Sequence, residues 1–306
     1  MIKNKSQKGL IDINVLSLCD GMSGGQIALK ELNIPIDVYY ASEIKKHAIQ
    51  VTQKNFPNTV QIGNVMDYIK EITPNGEYIV DKEKLDRFGN IDLFLCGSPC
   101  KNMSLINITG KTGINGEKSS LFYPCVAIMK YVKPKYFLFE NVCSMTNADK
   151  KVFNDSLGVE PIHINSALVS AQERNRYYWT NIPNVTVPDD RHIKLSDIID
   201  YGSEREENWS QKKEEFVERK VNSTMYVRVD GEKSLPITAR GYAAWNTQFV
   251  TDNGQRRDLT IKEYRRLQTI PDWYDFDGLI KSKITDLIGD GWTIEVIKHI
   301  LSGLPH

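Results

Sequence analysis

Short apolar runs alternate with amphipathic stretches through the first half of the chain. Asn14–Leu18 (NVLSL) reads as a buried strand, and a glycine-containing turn leads from it into a helical run from about Gln26 to Leu32. Val38–Glu43 (VYYASE) predicts a second strand, followed by a helix near Lys45–Asn55 and a short third strand at Val60–Ile62. Ile91–Leu95 (IDLFL) and Tyr136–Phe139 (YFLF) are continuous apolar runs, the pattern of parallel strands covered on both faces. Ser119–Tyr131 between them predicts a helix, and His163–Ser170 and Arg176–Asn181 predict two more strands. This alternation predicts an α/β fold on an open, doubly wound, mostly parallel sheet.

The pattern changes after Pro183. Asn184–Gly254 is polar and irregular, and its charged segment Ser203–Lys220 reads as a solvated helix. Helical periodicity returns at Ile261–Thr269 and Thr293–Leu301. The expected organisation is a main domain of residues 1–183 and 255–306, with a small inserted domain at 184–254. No internal repeat is visible.

Composition narrows the picture only a little. A chain of 306 residues can hold one large domain with a small one attached. The formal net charge is zero, which gives no electrostatic hint of a nucleic-acid partner and excludes none, because a local basic cleft can sit on a neutral protein. The five cysteines (Cys19, Cys96, Cys100, Cys125 and Cys143) are odd in number and fit neither a disulfide framework nor the paired spacing of a zinc site. Reduced thiols, a cytoplasmic setting and no metal are expected. The polar start MIKNKSQKGL is unlike a signal peptide, and no apolar run is long enough to predict a membrane span.

Ligands of open α/β sheets bind at the carboxyl ends of the strands. That rule gathers Cys19–Gly25, Glu43, Asn64, Cys96–Cys100 and Glu140 along one rim. The turn Asp20-Gly21-Met22-Ser23-Gly24-Gly25 could bring backbone N–H groups to an anionic ligand, or be a plain tight turn. Glu43 could bind both hydroxyls of a ribose or cap the next helix. Cys100, presented after Pro99 at a strand end, reads as a positioned nucleophile, whereas Cys96 reads as a core residue, as Cys125 and Cys143 could also be. Glu140 at the end of the next strand would set a carboxylic acid beside that thiol. If Gln172–Arg176 is extended, Gln172, Arg174 and Arg176 share one face. Two arginines there would meet anions or acceptors, in a site or in a structural network.

Taken in order, these pieces resemble the DNA cytosine-5 methyltransferase family over nearly the whole chain apart from Asn184–Gly254. Gly97-Ser98-Pro99-Cys100 is similar to the family's Pro-Cys motif, Glu140-Asn141-Val142 to its Glu-Asn-Val motif, and Gln172-Glu173-Arg174-Asn175-Arg176 to its Gln-x-Arg-x-Arg motif. Asp258-Leu259-Thr260, with Glu263, Arg266, Leu267, Gln268 and Pro271, resembles the late motif that organises the recognition domain. Val15–Gly21, Tyr40–Glu43 and Gly289–Ile300 are most like a bacterial and phage branch that also resembles the vertebrate de novo enzymes. Four positions depart from the pattern: Cys19 stands where Phe is usual, Asn64 where Asp is, Lys101 where Gln or Asn is, and Asp290 where Asn is common.

The resemblance implies a class I, Rossmann-like fold that binds S-adenosylmethionine through Asp20, Gly21, Met22, Gly25, Glu43, Ile44, Asn64, Val65, Pro99, Asp290 and Trp292. It implies that Cys100 adds to carbon 6 of a cytosine flipped out of double-stranded DNA. Glu140 would act at ring nitrogen 3, Arg174 would hold the base oxygen, and Arg176 would support Arg174 and the nucleophile loop. Lys101–Lys118 is expected to be a loop that closes over DNA, with Lys101, Ser104, Lys111, Lys118, Gln172 and, in the recognition domain, Arg240 as DNA contacts. A small recognition domain implies a short target site, within restriction–modification or phage and orphan methylation, and a monomer or weak homo-oligomer. Two alternatives are a transfer-RNA methyltransferase on the same scaffold, which would carry a Cys-Phe-Thr signature absent here, and a silent DNA-binding relative, which would lack Cys100 or Glu140.

Overall fold

A computed structural model describes residues 12–98, 121–203, 209–221, 223 and 225–305. Pro99, Cys100, Lys101, Ser104, Lys111 and Lys118, with the expected DNA-closing loop, lie outside the described residues.

The first strand β1 (Ile13–Leu18) leads through a tight turn into α1 (Gly24–Glu31), then β2 (Ile36–Ser42), α2 (Lys46–Asn55) and β3 (Val60–Gln61). A small hairpin follows, β4 (Ile69–Ile72) and β5 (Tyr78–Val80), and then α3 (Lys82–Asp86). The chain re-enters the main sheet as β6 (Leu93–Gly97), α4 (Phe122–Val132), β7 (Tyr136–Val142), α5 (Asn147–Leu157), β8 (Ile162–Asn165) and β9 (Asn175–Thr180). The sheet order is β3, β2, β1, β6, β7, β9, β8, and β9 alone runs against the rest. The expected mostly parallel, doubly wound sheet is therefore present, with its change of direction between β1 and β6. The sequence expectation of a strand over His163–Ser170 is half right: it stops at Asn165, whose side chain accepts from the Ala167 N–H and starts a short helical turn.

Successive residues of the central strands feed opposite cores. Val15, Leu93, Leu95 and Leu138 join the core that covers one face, whereas Leu16, Phe94, Phe137 and Phe139 join the other. The second core is closed by α4 and α5, through Phe122 and Phe153, which stack with centroids 3.9 Å apart.

The inserted region holds α6 (Gln211–Lys220), β10 (Arg228–Val229), α7 (Gly241–Ala244), β11 (Gln248–Asp252) and β12 (Gln255–Asp258). β11 and β12 form a hairpin across Asn253-Gly254, both at positive φ (49° and 74°), the conformation that a two-residue hairpin turn demands. The boundary expected after Gly254 falls at the tip of this hairpin, and the small sheet runs on to Asp258. The charged segment expected to be a solvated helix does form α6, but Lys213 and Val217 on it are buried.

The chain then returns as α8 (Ile261–Leu267), α9 (Lys281–Asp290) and α10 (Ile294–Leu301). Thr260 and Glu263 form a capping box at the start of α8: Thr260 Oγ1 accepts from the Glu263 N–H, and Glu263 Oε2 accepts from the Thr260 N–H at 2.7 Å. On α10, Ile294, Val296, Ile297, Ile300 and Leu301 are buried, and the helix packs on α1. Among the described residues no helix is long and apolar enough to cross a membrane.

Candidate active site

The end of β1 is folded tightly. Cys19, Gly21 and Ser23 all have positive φ (56°, 60° and 59°), so the chain reverses within a few residues before α1 begins. A non-glycine residue in that region costs about 1–3 kcal/mol, a strain typical of ligand clamps. Asp20 is fixed beneath the turn, where Oδ1 accepts from the Tyr39 hydroxyl at 2.8 Å and Oδ2 accepts from Ser23. Burial raises its pKa to about 6, even though hydrogen bonds from Ser17, Ser23 and Tyr39 act in the opposite direction. Met22 is buried, and its carbonyl accepts from the Tyr274 hydroxyl at 2.7 Å. Gly25 faces inward: a Cβ there would stand 2.3 Å from Leu95 Cδ1, so the small residue lets α1 sit on β6. Gly25, expected at the cofactor, thus has a packing task of its own.

Glu43 at the end of β2 ties two loops together. Its Oε2 accepts from the Gly21 N–H at 2.8 Å, and its Oε1 accepts from the N–H groups of Ile44 and Lys45 at 2.7 and 2.8 Å. It is a rim carboxylate that orders the turn leading into α2. Ile44 beside it is 67% exposed, a large apolar side chain left in water at the rim. Asn64 is exposed and its Oδ1 accepts from the Met66 N–H at 3.0 Å, while Val65 is buried beneath it. Asp290, expected at the cofactor, is joined to Lys45 by an ion pair of 2.6 Å that closes the same edge.

Cys19, Cys96 and Cys125 meet below this turn, and burial pushes the Cys96 thiol up. Cys96 and Cys125 are fully buried, in accord with a packing role.

The second half of the site is built by sheet register. Gly97 on β6 pairs with Glu140 on β7, so the strand leading to Pro99-Cys100 ends beside the carboxylate. Arg176 on β9 is opposite Val142, one pleat from Glu140 on the same face. Arg176 Nε donates to Glu140 Oε1 at 2.9 Å, and the indole Nε1 of Trp292 donates to Glu140 Oε2 at 3.0 Å. The Glu140 side chain is 12% exposed, so both its oxygens are held by donors with one side left open.

Asn141, named from sequence only within the Glu-Asn-Val motif and given no role there, fixes the chain that leaves β6. It is 1% exposed, and its Nδ2 donates to the Ser98 carbonyl at 3.2 Å and to Ser98 Oγ at 3.1 Å. An amide next to an acidic residue at a strand end was the available signal.

The Gln-x-Arg-x-Arg segment departs from expectation twice. Gln172 is fully buried: its Nε2 donates to the Leu267 carbonyl at 2.9 Å and to Gln268 Oε1 at 3.1 Å, and its Oε1 accepts from the Ile237 N–H at 2.8 Å. It joins the inserted region to α8 and is closed to DNA. Arg174 is 5% exposed and donates to the carbonyls of Ile237, Gly289 and Gly291 at 2.8, 3.0 and 2.9 Å. It is therefore Arg176, not Arg174, that stands beside Glu140. Arg240, by contrast, is exposed at the start of α7.

A family model for C-5 cytosine-specific DNA methylases matches residues 13–160 and 160–306. The chain belongs to that family. Among curated relatives, it is 32% identical over 123 residues to the DNA (cytosine-5)-methyltransferase DRM1 of Arabidopsis thaliana, a match covering 40% of this chain and 19% of that protein. It is 26% identical over 208 residues to the orphan methyltransferase M.SPRI of Bacillus phage SPR, covering 63% of this chain and 44% of the relative. The matched stretches thus span less than half of these relatives. In three dimensions the chain is similar to the S. pombe Dnmt2 methyltransferase, with a TM-score of 0.69 at 16% identity over 95% of this chain and 97% of the other. It is also similar to a putative DNA modification methyltransferase encoded within an E. coli prophage, with a TM-score of 0.58 at 19% identity over 95% and 98%. These likenesses place the fold among those of known methyltransferases.

Proposed function

We propose that the protein transfers a methyl group to carbon 5 of cytosine in double-stranded DNA, with S-adenosylmethionine as the donor and Cys100 as the nucleophile. The observation that carries this reading is the Glu140 carboxylate, fixed by Arg176 and Trp292 and in register with the end of the strand that leads to Cys100.

The residues present fit the cofactor. Asp20 and Glu43 supply carboxylates around a strained turn, and exposed Ile44 offers an apolar face that a planar adenine would cover. Asn64, Val65 and Met22 complete that edge, with Asp290 and Trp292 on the returning chain. S-adenosylmethionine bound there supplies an electrophilic methyl group.

Carbon 5 of cytosine is a poor nucleophile until the ring is activated. The Cys100 thiolate adds to carbon 6, forming a carbon–sulfur bond and placing electron density on carbon 5. Glu140 hydrogen-bonds or protonates ring nitrogen 3 and so stabilises the adduct. Arg176, beside Glu140, takes the base-oxygen role first expected of Arg174. After methylation, water takes the 5-proton, the electron pair left on carbon 5 re-forms the 5,6 double bond, and Cys100 leaves as the thiolate while Glu140 recovers any proton given to ring nitrogen 3. The target base must leave the duplex stack, at about a few kcal/mol. Matches to phage orphan methyltransferases support DNA as the substrate.

Bisulfite sequencing of duplex DNA incubated with the purified protein and S-adenosylmethionine tests the reading. Protected cytosines within one recurring short sequence are expected. No protection on any duplex, with the cofactor shown to bind, would overturn it.

A further inference from the structure

We propose that Trp292 is a positioning residue for Glu140, held in place from behind by Arg174. The proposal rests on the methyltransferase reading above and adds a task to two residues that it had assigned elsewhere.

Trp292 lies where three motifs meet. Its Nε1 donates to Glu140 Oε2 at 3.0 Å, while the Nε of Arg176 holds Oε1 at 2.9 Å. A free carboxylate rotates about its terminal torsion, and two donors on opposite oxygens fix its plane. The indole also lies on the end of β6: a Cβ at Gly97 would stand 3.0 Å from Trp292 Nε1. On its other side a Cβ at Gly24, the first residue of α1, would stand 3.6 Å from Trp292 Cβ. The ring is thus wedged between the cofactor turn, the root of the nucleophile strand and the acid.

The backbone carrying Trp292 is fixed from behind. Arg174 donates to the carbonyls of Gly289 and Gly291, and Gln268 Nε2 donates to those of Ile288 and Gly291 at 2.8 and 3.0 Å. Gly289 leaves no freedom, since a Cβ there would stand 2.3 Å from the Thr238 carbonyl carbon. The two arginines of one short segment therefore converge on Glu140, Arg176 by direct contact and Arg174 through the Gly289–Trp292 backbone. The third carbonyl on Arg174, that of Ile237, ties this support to the segment that leads to exposed Arg240.

The test is steady-state and single-turnover methylation of duplex DNA by the full chain. Trp292→Phe keeps the ring and removes only the N–H donor. It should lower kcat about tenfold, the size of one lost charge-assisted hydrogen bond, while KM for DNA and for S-adenosylmethionine stay within about twofold. In a Glu140→Ala background the same substitution should change the rate less than about twofold, because no carboxylate remains to orient. Arg174→Lys, whose single ammonium lacks the planar fork that spans the Ile237, Gly289 and Gly291 carbonyls, should also lower kcat at unchanged KM, by a smaller factor. An unchanged kcat in Trp292→Phe, a raised cofactor KM alone, or an equal loss in the Glu140→Ala background would each overturn the proposal. The Trp292 indole N–H resonance, assigned by its loss in Trp292→Phe, gives a readout that needs no activity. It should shift in Glu140→Gln, and an unmoved resonance overturns the contact. If wild type methylates no duplex, the methyltransferase reading fails, and the resonance still decides the positioning.

Discussion

The rim of the main sheet and the small inserted sheet hold buried polar groups in opposite ways. At the rim, carboxylates sit at strand ends above two large apolar cores, and Asp20, Glu43 and Glu140 are each fixed by donors while staying partly exposed. The small sheet has a buried apolar core of only Val217, Val227 and Phe249 among the described residues, with Trp209, Phe216, Val229 and Trp245 packed around it. It is held instead by charges closed on one another. Lys213, 3% exposed, pairs with buried Asp258 and lies 4.8 Å from the Trp209 ring centroid and 5.6 Å from that of Phe249. Arg257 is 2% exposed and joins Asp252 at 2.9 Å to Glu263 at 2.8 Å, so it ties the hairpin to α8. The rim keeps polar capacity for a ligand, whereas the small sheet spends its capacity on structure.

The comparison breaks most clearly at Glu140. Glu140→Gln should slow methyl transfer by about 10²–10⁴-fold, the usual worth of a general acid, with duplex affinity and Tm close to wild type. A filter-binding assay run beside the methylation assay checks both halves, and an unchanged rate removes Glu140 from the chemistry. Lys213→Ala should do the reverse. Leaving Asp258 buried without its ammonium should cost about 3–5 kcal/mol in urea denaturation. A double replacement, Lys213→Met with Asp258→Leu, should recover part of that loss, since well-packed apolar residues can stand in for a buried pair. A Lys213→Ala protein as stable as wild type would show that the aromatic shell, not the charge pair, holds the small sheet.

The same contrast explains what could be read from sequence. The strands of the main sheet announce themselves because both their faces are buried, which leaves continuous runs such as Leu93–Leu95. Glu140 and the acidic rim followed from one rule, that open sheets bind ligands at strand ends, while Cys100 lies outside the described residues. The inserted region lacks such a period, because its residues are chosen for pairing rather than for burial. Even so, Asn253-Gly254 is a strong hairpin signal that passed unread, as is Pro74-Asn75-Gly76 between β4 and β5. A structural network was among the readings of the arginines, but the partners of Gln172 and Arg174 were not legible. They include carbonyls of Ile237, Leu267, Gly289 and Gly291, brought in from distant parts of the chain. Local alternation could not say which of the two arginines would reach Glu140.

Arg240 gives a smaller and sharper cut. It is exposed at the start of α7, three residues after Ile237, whose carbonyl Arg174 holds. If it reads a base, Arg240→Ala should cost about 1–3 kcal/mol in duplex binding and relax the methylated sequence at one position. If it contacts a phosphate, affinity should fall evenly across sequences and the salt dependence should flatten. Bisulfite sequencing together with a salt titration separates the two, and no change in either retires Arg240 as a DNA contact.

Asp20 carries the smallest effect and the most particular sign. Its pKa of about 6 lies above the ordinary 3.8 because burial disfavours the charge. At pH 7 it is ionised, at a cost to the native state without ligand. As pH falls through 6 the native protein takes up a proton that the unfolded chain takes up only near 3.8, so this group's contribution to stability rises with acidity. Cofactor affinity should move the other way if the carboxylate receives a cationic or hydrogen-bond-donating part of S-adenosylmethionine. Between pH 7 and pH 5 the ionised fraction falls about tenfold, and cofactor Kd measured by calorimetry should rise by about that factor. Asp20→Asn should flatten both trends, raising the Tm of the free protein at pH 7 while weakening the cofactor at every pH. A cofactor affinity that does not change between pH 7 and pH 5 would mean that the strained turn binds through its backbone and that Asp20 serves only to hold Ser23 and Tyr39.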